Sequence, residues 1–367
     1  MKVIEITNVD FSLRHFLLPL MRGLRERGHE VVGACADGDE LIPVRAEGFR
    51  VVAVPMARTL SPLAQWRAFR ALIVFFRAEK PDLVHAHMPI SGFLARLAAR
   101  IVGVPRIAYT SHGFLFNQPG SWLRRAGSFA MEWIGGRVTD VFMTVSTEEA
   151  SDARRLWIKR AAVPVGNGRD PARFRPDGAA RGRIRAALGV PDDRVVIVIV
   201  ARLVRHKGHL DLAAAMRAVP GADLWVVGER LPTDRGEDIG ALLVEAGLGG
   251  RLRLLGSRED VADVLAASDI FTLPSHFEGL PMSVIEAMLT GLPVVGTRVR
   301  GIREQVVEGV TGLLVPPGDP ELLGAALGRL VEDGALRRAM GEAGRVRAAE
   351  LYDEAKVVAR VLDLLAA

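Results

Sequence analysis

Cysteine is almost missing from this chain. Cys35 is the only one in 367 residues, so no intrachain disulfide can form and a reducing compartment is expected. Also missing is any uninterrupted apolar run of about 18 residues, the length a membrane-crossing helix needs. Residues 1–7 have no long apolar segment behind Lys2 and read as a strand, not as a secretory leader. These absences point to the cytoplasm. Lysine is scarce: positions 2, 80, 159, 207 and 356 supply five of the 48 bases, and arginine supplies the other 43. No basic tail or nucleic-acid-binding motif accompanies those arginines, which argues against nucleic acid as a partner. Internal repeats and low-complexity segments are absent too.

What is present is an ordinary globular composition, 49% apolar and 25% charged, with ample material for a core. The length suits two domains of roughly 150–200 residues. Apolar, β-branched runs at 3–6, 31–34, 51–54, 83–86, 106–110 and 141–145 alternate with helical patterns. One such pattern is 16–27, which stops at Gly28 where a helix-terminating glycine belongs. This alternation is the signature of a parallel sheet covered on both faces. Three prolines and three glycines then fall within residues 164–178, a composition that reads as a linker. The alternation resumes with runs at 195–200, 224–228, 252–255, 270–273 and 293–295, and an amphipathic helix follows from residue 351. The expected organisation is a Rossmann-like α/β domain over 1–165, a linker over 166–178, a second such domain over 179–350 and a helix over 351–367. Open parallel sheets bind ligands beyond the carboxyl ends of their strands, so the chemistry is expected in strand-to-helix loops.

Three such loops carry unusual residues. Ser275-His276-Phe277-Glu278-Gly279-Leu280-Pro281-Met282 follows the run at 270–273 and leads into a helix containing Glu286. Pro281 suits a first helical turn, where unpaired amides make an anion site. The second loop, Ala201-Arg202-Leu203-Val204-Arg205-His206-Lys207-Gly208, sets a cluster of cations beside a helix start, where the macrodipole disfavours them unless an anion binds. A diphosphate is such an anion, suited to an Arg fork and a Lys point charge. The third is Tyr109-Thr110-Ser111-His112-Gly113.

Together with Asn167-Gly168-Arg169-Asp170, Val84-His85-Ala86-His87 and residues 309–316, these loops resemble glycosyltransferase family 4, in the family's order over nearly the whole chain. The resemblance implies a GT-B fold, α/β with two tandem Rossmann-like domains whose parallel sheets face across a cleft, and a last helix that packs back on the first domain. It implies a retaining, metal-independent hexosyl- or N-acetylhexosaminyltransferase that needs no cofactor beyond its nucleotide diphosphate sugar donor. UDP-sugar is favoured and GDP-mannose next, with a glycan or lipid-linked acceptor in surface-polysaccharide synthesis. By the same resemblance Arg202 and Lys207 grip the donor diphosphate and Glu286 the ribose. Glu278 faces the transferred sugar, and backbone around Gly279, Leu280, Pro281 and Met282 contacts the sugar and its phosphate. His112 lies close to the reacting sugar; His112, Glu278, Arg202 and Lys207 form the catalytic set. A sugar-nucleotide 2-epimerase on the same fold, or a non-catalytic sugar-nucleotide-binding protein, stand as alternatives.

The chain departs from the family at residues 7–15, which read as a loop without the glycine that lets backbone approach a phosphate. Asp10, Ser12, Arg14 and His15 are expected to face the acceptor instead. His85 and His87 are spaced like metal ligands but have no third ligand at matching spacing, so no metal site is expected. Over residues 1–165, 22 Lys and Arg stand against 15 Asp and Glu, a balance of +7; the remainder carries 26 against 28. Residues 61–79, with Trp66, Phe69, Phe75 and Phe76, and 121–137, with Trp122, Phe129 and Trp133, set aromatics among arginines. Such faces suit an anionic membrane surface and equally suit packing on a sheet.

Overall fold

The structure, a computed structural model, describes residues 1–56, 61–230, 234 and 236–367. Two compact units form: unit 1 comprises Met1–Gly166 and Ala355–Ala367, and unit 2 comprises Asn167–Glu354.

Unit 1 is built on β1 (Lys2–Ile6), β2 (Glu30–Cys35), β3 (Arg50–Ala53), β4 (Leu83–His87), β5 (Arg106–Ser111), β6 (Val141–Thr144) and β7 (Val163–Pro164), in the order β3-β2-β1-β4-β5-β6-β7. Every neighbouring pair is parallel. Successive side chains alternate between sheet faces, and the core divides accordingly. Ile4, Ile6, Val84, Ala86, Ile107 and Tyr109 belong to one buried cluster; Val3, Leu83 and Ala108 belong to the other, with Leu13, Met21, Val361, Leu362 and Leu365. The last three come from the helix Glu354–Ala366, whose Arg360 donates to the Val165 carbonyl at 2.8 Å.

Unit 2 contains β8 (Val195–Val200), β9 (Ala222–Val227), β10 (Leu252–Gly256), β11 (Ile270–Leu273), β12 (Val294–Thr297) and β13 (Gly312–Val315), ordered β10-β9-β8-β11-β12-β13 and again wholly parallel. In each sheet the strand order reverses once, between β1 and β4 and between β8 and β11, and a crevice at such a point is where doubly wound sheets hold ligands.

Three segments differ from their sequence reading. Residues 167–178 lack periodicity yet belong to unit 2, where Phe174 is buried and Arg169 pairs with Asp353 in a β-bridge. Proline and glycine there report irregular backbone, not missing contacts. Residues 10–15 are helical, not loop: Asp10–Ser12, a π-helical turn Leu13–Leu17 and Leu18–Glu26 follow without interruption. A π turn inserts one extra residue and re-aims the side chains around it, which no apolar periodicity reveals. The aromatic segments split. Phe76 is buried, and Phe69, Phe75 and Phe129 pack against the core. Trp66, Trp122 and Trp133 stay 57%, 74% and 41% exposed, with Arg67, Arg70, Arg77, Arg124 and Arg125 also exposed. Among the described residues, no helix is long and apolar enough to cross a membrane.

One ion cluster ties β1, β3 and the helix Pro62–Glu79 together. Arg50 donates to both Glu79 oxygens at 2.6 and 2.7 Å, and Lys2 reaches the same carboxylate at 2.7 Å. Hydrogen bonds from Arg50 first and Lys2 second pull the Glu79 carboxyl from 4.5 down to about 2. A depressed carboxyl contributes stability that is present above its unfolded pKa and lost as pH falls toward its folded one. Glu79→Gln is therefore expected to lower Tm near neutral pH, with the gap to the parent closing as pH drops from 4.5 toward 2. Thermal melts across that range check it.

Candidate functional site

In unit 2 the loop after β8 runs into a short turn Arg205–Lys207 and then the helix His209–Ala215. The loop after β11 leads to the helix Met282–Leu289. The two loops meet closely: a Cβ on Gly208, at φ +75°, would lie 2.0 Å from the Pro274 carbonyl oxygen. His206 stacks on Phe277 at 4.6 Å, and His276 donates its amide to the His206 carbonyl at 2.8 Å. This junction brings Lys207 within 2.7 Å of Glu278 Oε1, which also accepts from the Ser275 hydroxyl at 2.6 Å.

Pro281 stands at the N-cap of the helix Met282–Leu289, one position earlier than its sequence reading. Buried Asn167 donates to the Leu280 carbonyl at 2.7 Å, and buried Gln305 to the Pro281 carbonyl at 2.9 Å. Side chains from two separate segments thereby fix the peptides that precede the helix. The first amides of the helix have no intrahelical acceptor, so they face the site as donors. Glu286 lies on the same helix, buried, with Arg169 Nε donating to its Oε1 at 2.6 Å.

Arg202 does not share a partner with Lys207. Its guanidinium donates to Asp234 at 2.5 Å, and its carbonyl faces His209 Nε2 at 2.9 Å. Burial first, with Lys207 adding to it, holds His209 down at about 4; it is a neutral donor to that carbonyl. The expected Arg202–Lys207 pair is thus two cations, each resting on a carboxylate. Arg169, Ser275 and Asp234 escaped the sequence reading of roles. Arg169 lies in a quoted motif, but its partner is 117 residues away.

In unit 1 the polar groups collect at the carboxyl ends of β1, β4 and β5. Glu5 is opposite His85 in the β1–β4 register, and His87 is opposite Thr110 in the β4–β5 register. All point to the face that carries Val3, Leu83 and Ala108. His85 Nδ1 lies 3.0 Å from Glu5 Oε1 and His85 Nε2 2.8 Å from Thr110 Oγ1. His87 Nε2 lies 2.9 Å from Glu5 Oε2, and His87 Nδ1 is 3.1 Å from His112 Nε2. Burial alone would raise the Glu5 carboxyl, but the attraction of His85 and hydrogen bonds from both imidazoles bring it to about 2. Burial, then the charge of His85, pushes His87 down to about 4. The same two causes, burial and then the neighbouring histidines, drive His112 well below the usual imidazole range.

Glu5 corrects one expectation. Glu5, His85 and His87 offer ligand atoms within 4.8 Å of one another, so a third metal-type ligand exists, brought in by sheet register from 80 residues away. The clue in the sequence is a glutamate on an otherwise apolar strand, a charge that burial obliges to find partners.

The four residues expected to face the acceptor, Asp10, Ser12, Arg14 and His15, lie on the helical segment 10–17. Arg14 and His15 converge on Glu40 at 2.6 and 3.3 Å. Ser12 is buried, and Asp10 accepts from the Phe11 amide at 2.8 Å. After β2, a Cβ on Gly38 would lie against the Asp10 carboxylate. Phe11 packs on His15 and Phe16, and Phe16 stacks over His112 at 6.4 Å. A line of rings therefore runs from His15 through Phe11 and Phe16 to His112.

Tandem parallel α/β units with these loops beyond their strand ends define a GT-B protein. Solved structures agree on the fold. Sucrose-phosphate synthase from Thermosynechococcus elongatus superposes with a TM-score of 0.86 at 23% identity, covering 100% of this chain and 98% of that one. HepE from Anabaena, in complex with UDP and glucose, gives 0.85 at 20% identity, covering 100% and 99%. Residues 13–168 match the family model described as glycosyl transferase 4-like domain, and 180–347 match glycosyl transferases group 1. A D-inositol 3-phosphate glycosyltransferase from Xylanimonas cellulosilytica is 30% identical over 96% of this chain and 90% of its own. The Escherichia coli UDP-Gal:alpha-D-GlcNAc-diphosphoundecaprenol alpha-1,3-galactosyltransferase is 28% identical over 90% and 87%. The chain belongs to the group 1 glycosyltransferases.

The contact between the two unit 2 loops yields a direct test. Gly208→Ala adds an atom against the Pro274 carbonyl in a left-handed conformation, whereas a Cβ on Gly250 meets nothing within 4 Å. Gly208→Ala is expected to lower Tm by about 2 °C or more, and Gly250→Ala by less, in parallel calorimetric scans.

Proposed function

We infer that this glycosyltransferase retains anomeric configuration and moves a hexosyl or N-acetylhexosaminyl group from a UDP-sugar, with GDP-mannose the next candidate. The acceptor is the hydroxyl of a lipid-linked glycan in surface-polysaccharide synthesis. The observation that carries this reading is the meeting of Lys207, Ser275 and Glu278 at 2.6–2.7 Å beside the start of the helix Met282–Leu289. Cation, hydroxyl, carboxylate and helix amides there match the needs of a sugar joined to a diphosphate. HepE, which holds UDP and glucose, and the E. coli enzyme, whose acceptor is a diphosphoundecaprenol, support the donor and acceptor classes.

In the reaction the anomeric C–O bond to the β-phosphate breaks and its electron pair stays on the diphosphate. Lys207, Arg202 and the helix amides stabilise that developing charge, each group worth on the order of 10²–10³-fold in rate. Arg202 exchanges Asp234 for a phosphate oxygen. Glu286, oriented by Arg169, takes the ribose hydroxyls, and Glu278 faces the transferred sugar. The acceptor oxygen bonds to the anomeric carbon on the face the phosphate leaves, and its proton passes to the departing phosphate oxygen. With cations and amides carrying the charge, no divalent ion is needed. The decisive assay incubates the protein with UDP-sugars and a polyprenyl-diphosphate-linked sugar in EDTA. Acceptor-dependent UDP release is expected, falling about 10²-fold in Lys207→Ala; release that requires added Mn²⁺ would overturn the metal-free reading.

An anionic membrane surface fits unit 1. Exposed Leu63 and Trp66 on the helix Pro62–Glu79, and Trp122, Leu123 and Trp133 on Trp122–Arg137, are set among exposed arginines. Each such Arg adds about 1 kcal/mol on anionic lipid, screened by salt. Sedimentation with anionic liposomes should show binding at low salt that weakens at high salt and in Trp66→Ser/Trp122→Ser. Equal binding to neutral vesicles would remove the electrostatic part of this reading.

A further inference from the structure

We propose that Glu5 and His87 are positioning residues that fix His112 as a hydrogen-bond acceptor, its Nδ1 bare and presented to a hydroxyl of a sugar ligand. The inference rests on the transferase reading for the identity of that ligand, and on unit 1 geometry for everything else.

The assignment follows from counting protons along one chain of contacts. Glu5 is fully buried, and both of its oxygens face imidazole nitrogens at 2.9 and 3.0 Å. An ionised carboxylate only accepts, so His87 must donate from Nε2. Neutral imidazole has a single N–H, which leaves His87 Nδ1 as an acceptor. The group 3.1 Å from Nδ1 is His112 Nε2, so the His112 proton resides there and its Nδ1 is bare. His85 does not disturb this order, because its two nitrogens are engaged by Glu5 and Thr110.

The framework around the relay is rigid. Sheet register sets Glu5 against His85. Ser91 donates to the His87 carbonyl at 3.0 Å, and Met88, directly after His87, holds φ +65° without being glycine, a conformation that surrounding structure must enforce. Phe16, from the π turn, lies near-parallel to the His112 ring with centroids 6.4 Å apart. A neutral His112 so oriented offers no positive charge to a phosphate. It accepts from a hydroxyl, and a sugar ring is the ligand rich in them.

A metal ion on Glu5, His85 and His87 predicts the reverse. A metal bound to His87 Nε2 would put the proton on His87 Nδ1, make His112 Nε2 the acceptor and leave His112 with Nδ1–H. The ¹⁵N shifts of uniformly ¹⁵N-histidine-labelled full-length protein distinguish protonated from bare ring nitrogens, with assignments from His87→Gln and His112→Gln. Nε2–H on both residues near neutral pH is the expected result. Nδ1–H on His112, an imidazolium there, or a stoichiometric metal in the purified protein would each overturn the proposal. In turnover, Glu5→Gln, whose amide can donate where the carboxylate only accepted, should lower kcat/KM about tenfold with UDP affinity unchanged. Because it acts through His112, the double variant Glu5→Gln/His112→Ala should be no slower than His112→Ala. Additive losses would assign Glu5 a merely structural role and defeat the proposal. Should the parent transfer no sugar, the functional reading falls while the ring-nitrogen shifts still decide this one.

Discussion

A carboxylate placed inside a sheet that is covered on both faces must find donors there, because water cannot reach it. Glu5 lies under that constraint. Among the described residues its side-chain partners are His85, opposite it on β4, and His87, two residues further on the same face. The polar layer of unit 1 therefore sits where the apolar layers of the same face end, at the crossover between β1 and β4. From there order passes outward to His112 and, through Phe16, to the helical segment with Arg14 and His15.

Unit 2 meets the same requirement differently. Its charges are paired in the loops after β8 and β11, Lys207 with Glu278, and Arg202 with Asp234. Pairs of this kind keep cations and carboxylates oriented at modest desolvation cost. Arg169 and Glu286 form a third pair, buried to a similar degree as Lys207 and Glu278.

The alternation of β-branched runs and helical patterns made β1–β6 and β8–β12 legible, since a wholly parallel sheet demands apolar strands and long crossovers; the glycine-led edge strand β13 escaped it. The two-residue β7, which contains a proline and lies at the edge of its sheet, carries too little pattern to be seen. Candidate site residues were legible where they cluster in one loop, as Lys207 and Glu278 do within their motifs. They were illegible where sheet register or a distant segment supplies the partner. Glu5 reads as one polar letter in a strand, Glu40 and Asp234 as loop acids, and Arg169 as part of a motif with no visible counterpart. Pairing between distant segments is a property of topology, and composition and spacing do not encode it locally.

Unit 1 is not contiguous along the chain, because Val361, Leu362 and Leu365 complete the core begun by Val3 and Leu13. The unit whose strands emerge first from the ribosome therefore closes its core only when residues 355–367 have been made. Unit 2, wholly contained in Asn167–Glu354, has all its strands beforehand. Synthesis thus imposes an order opposite to the sequence order: unit 2 can mature while its predecessor still waits with an apolar face uncovered, exposed in the meantime to chaperones and to other nascent chains.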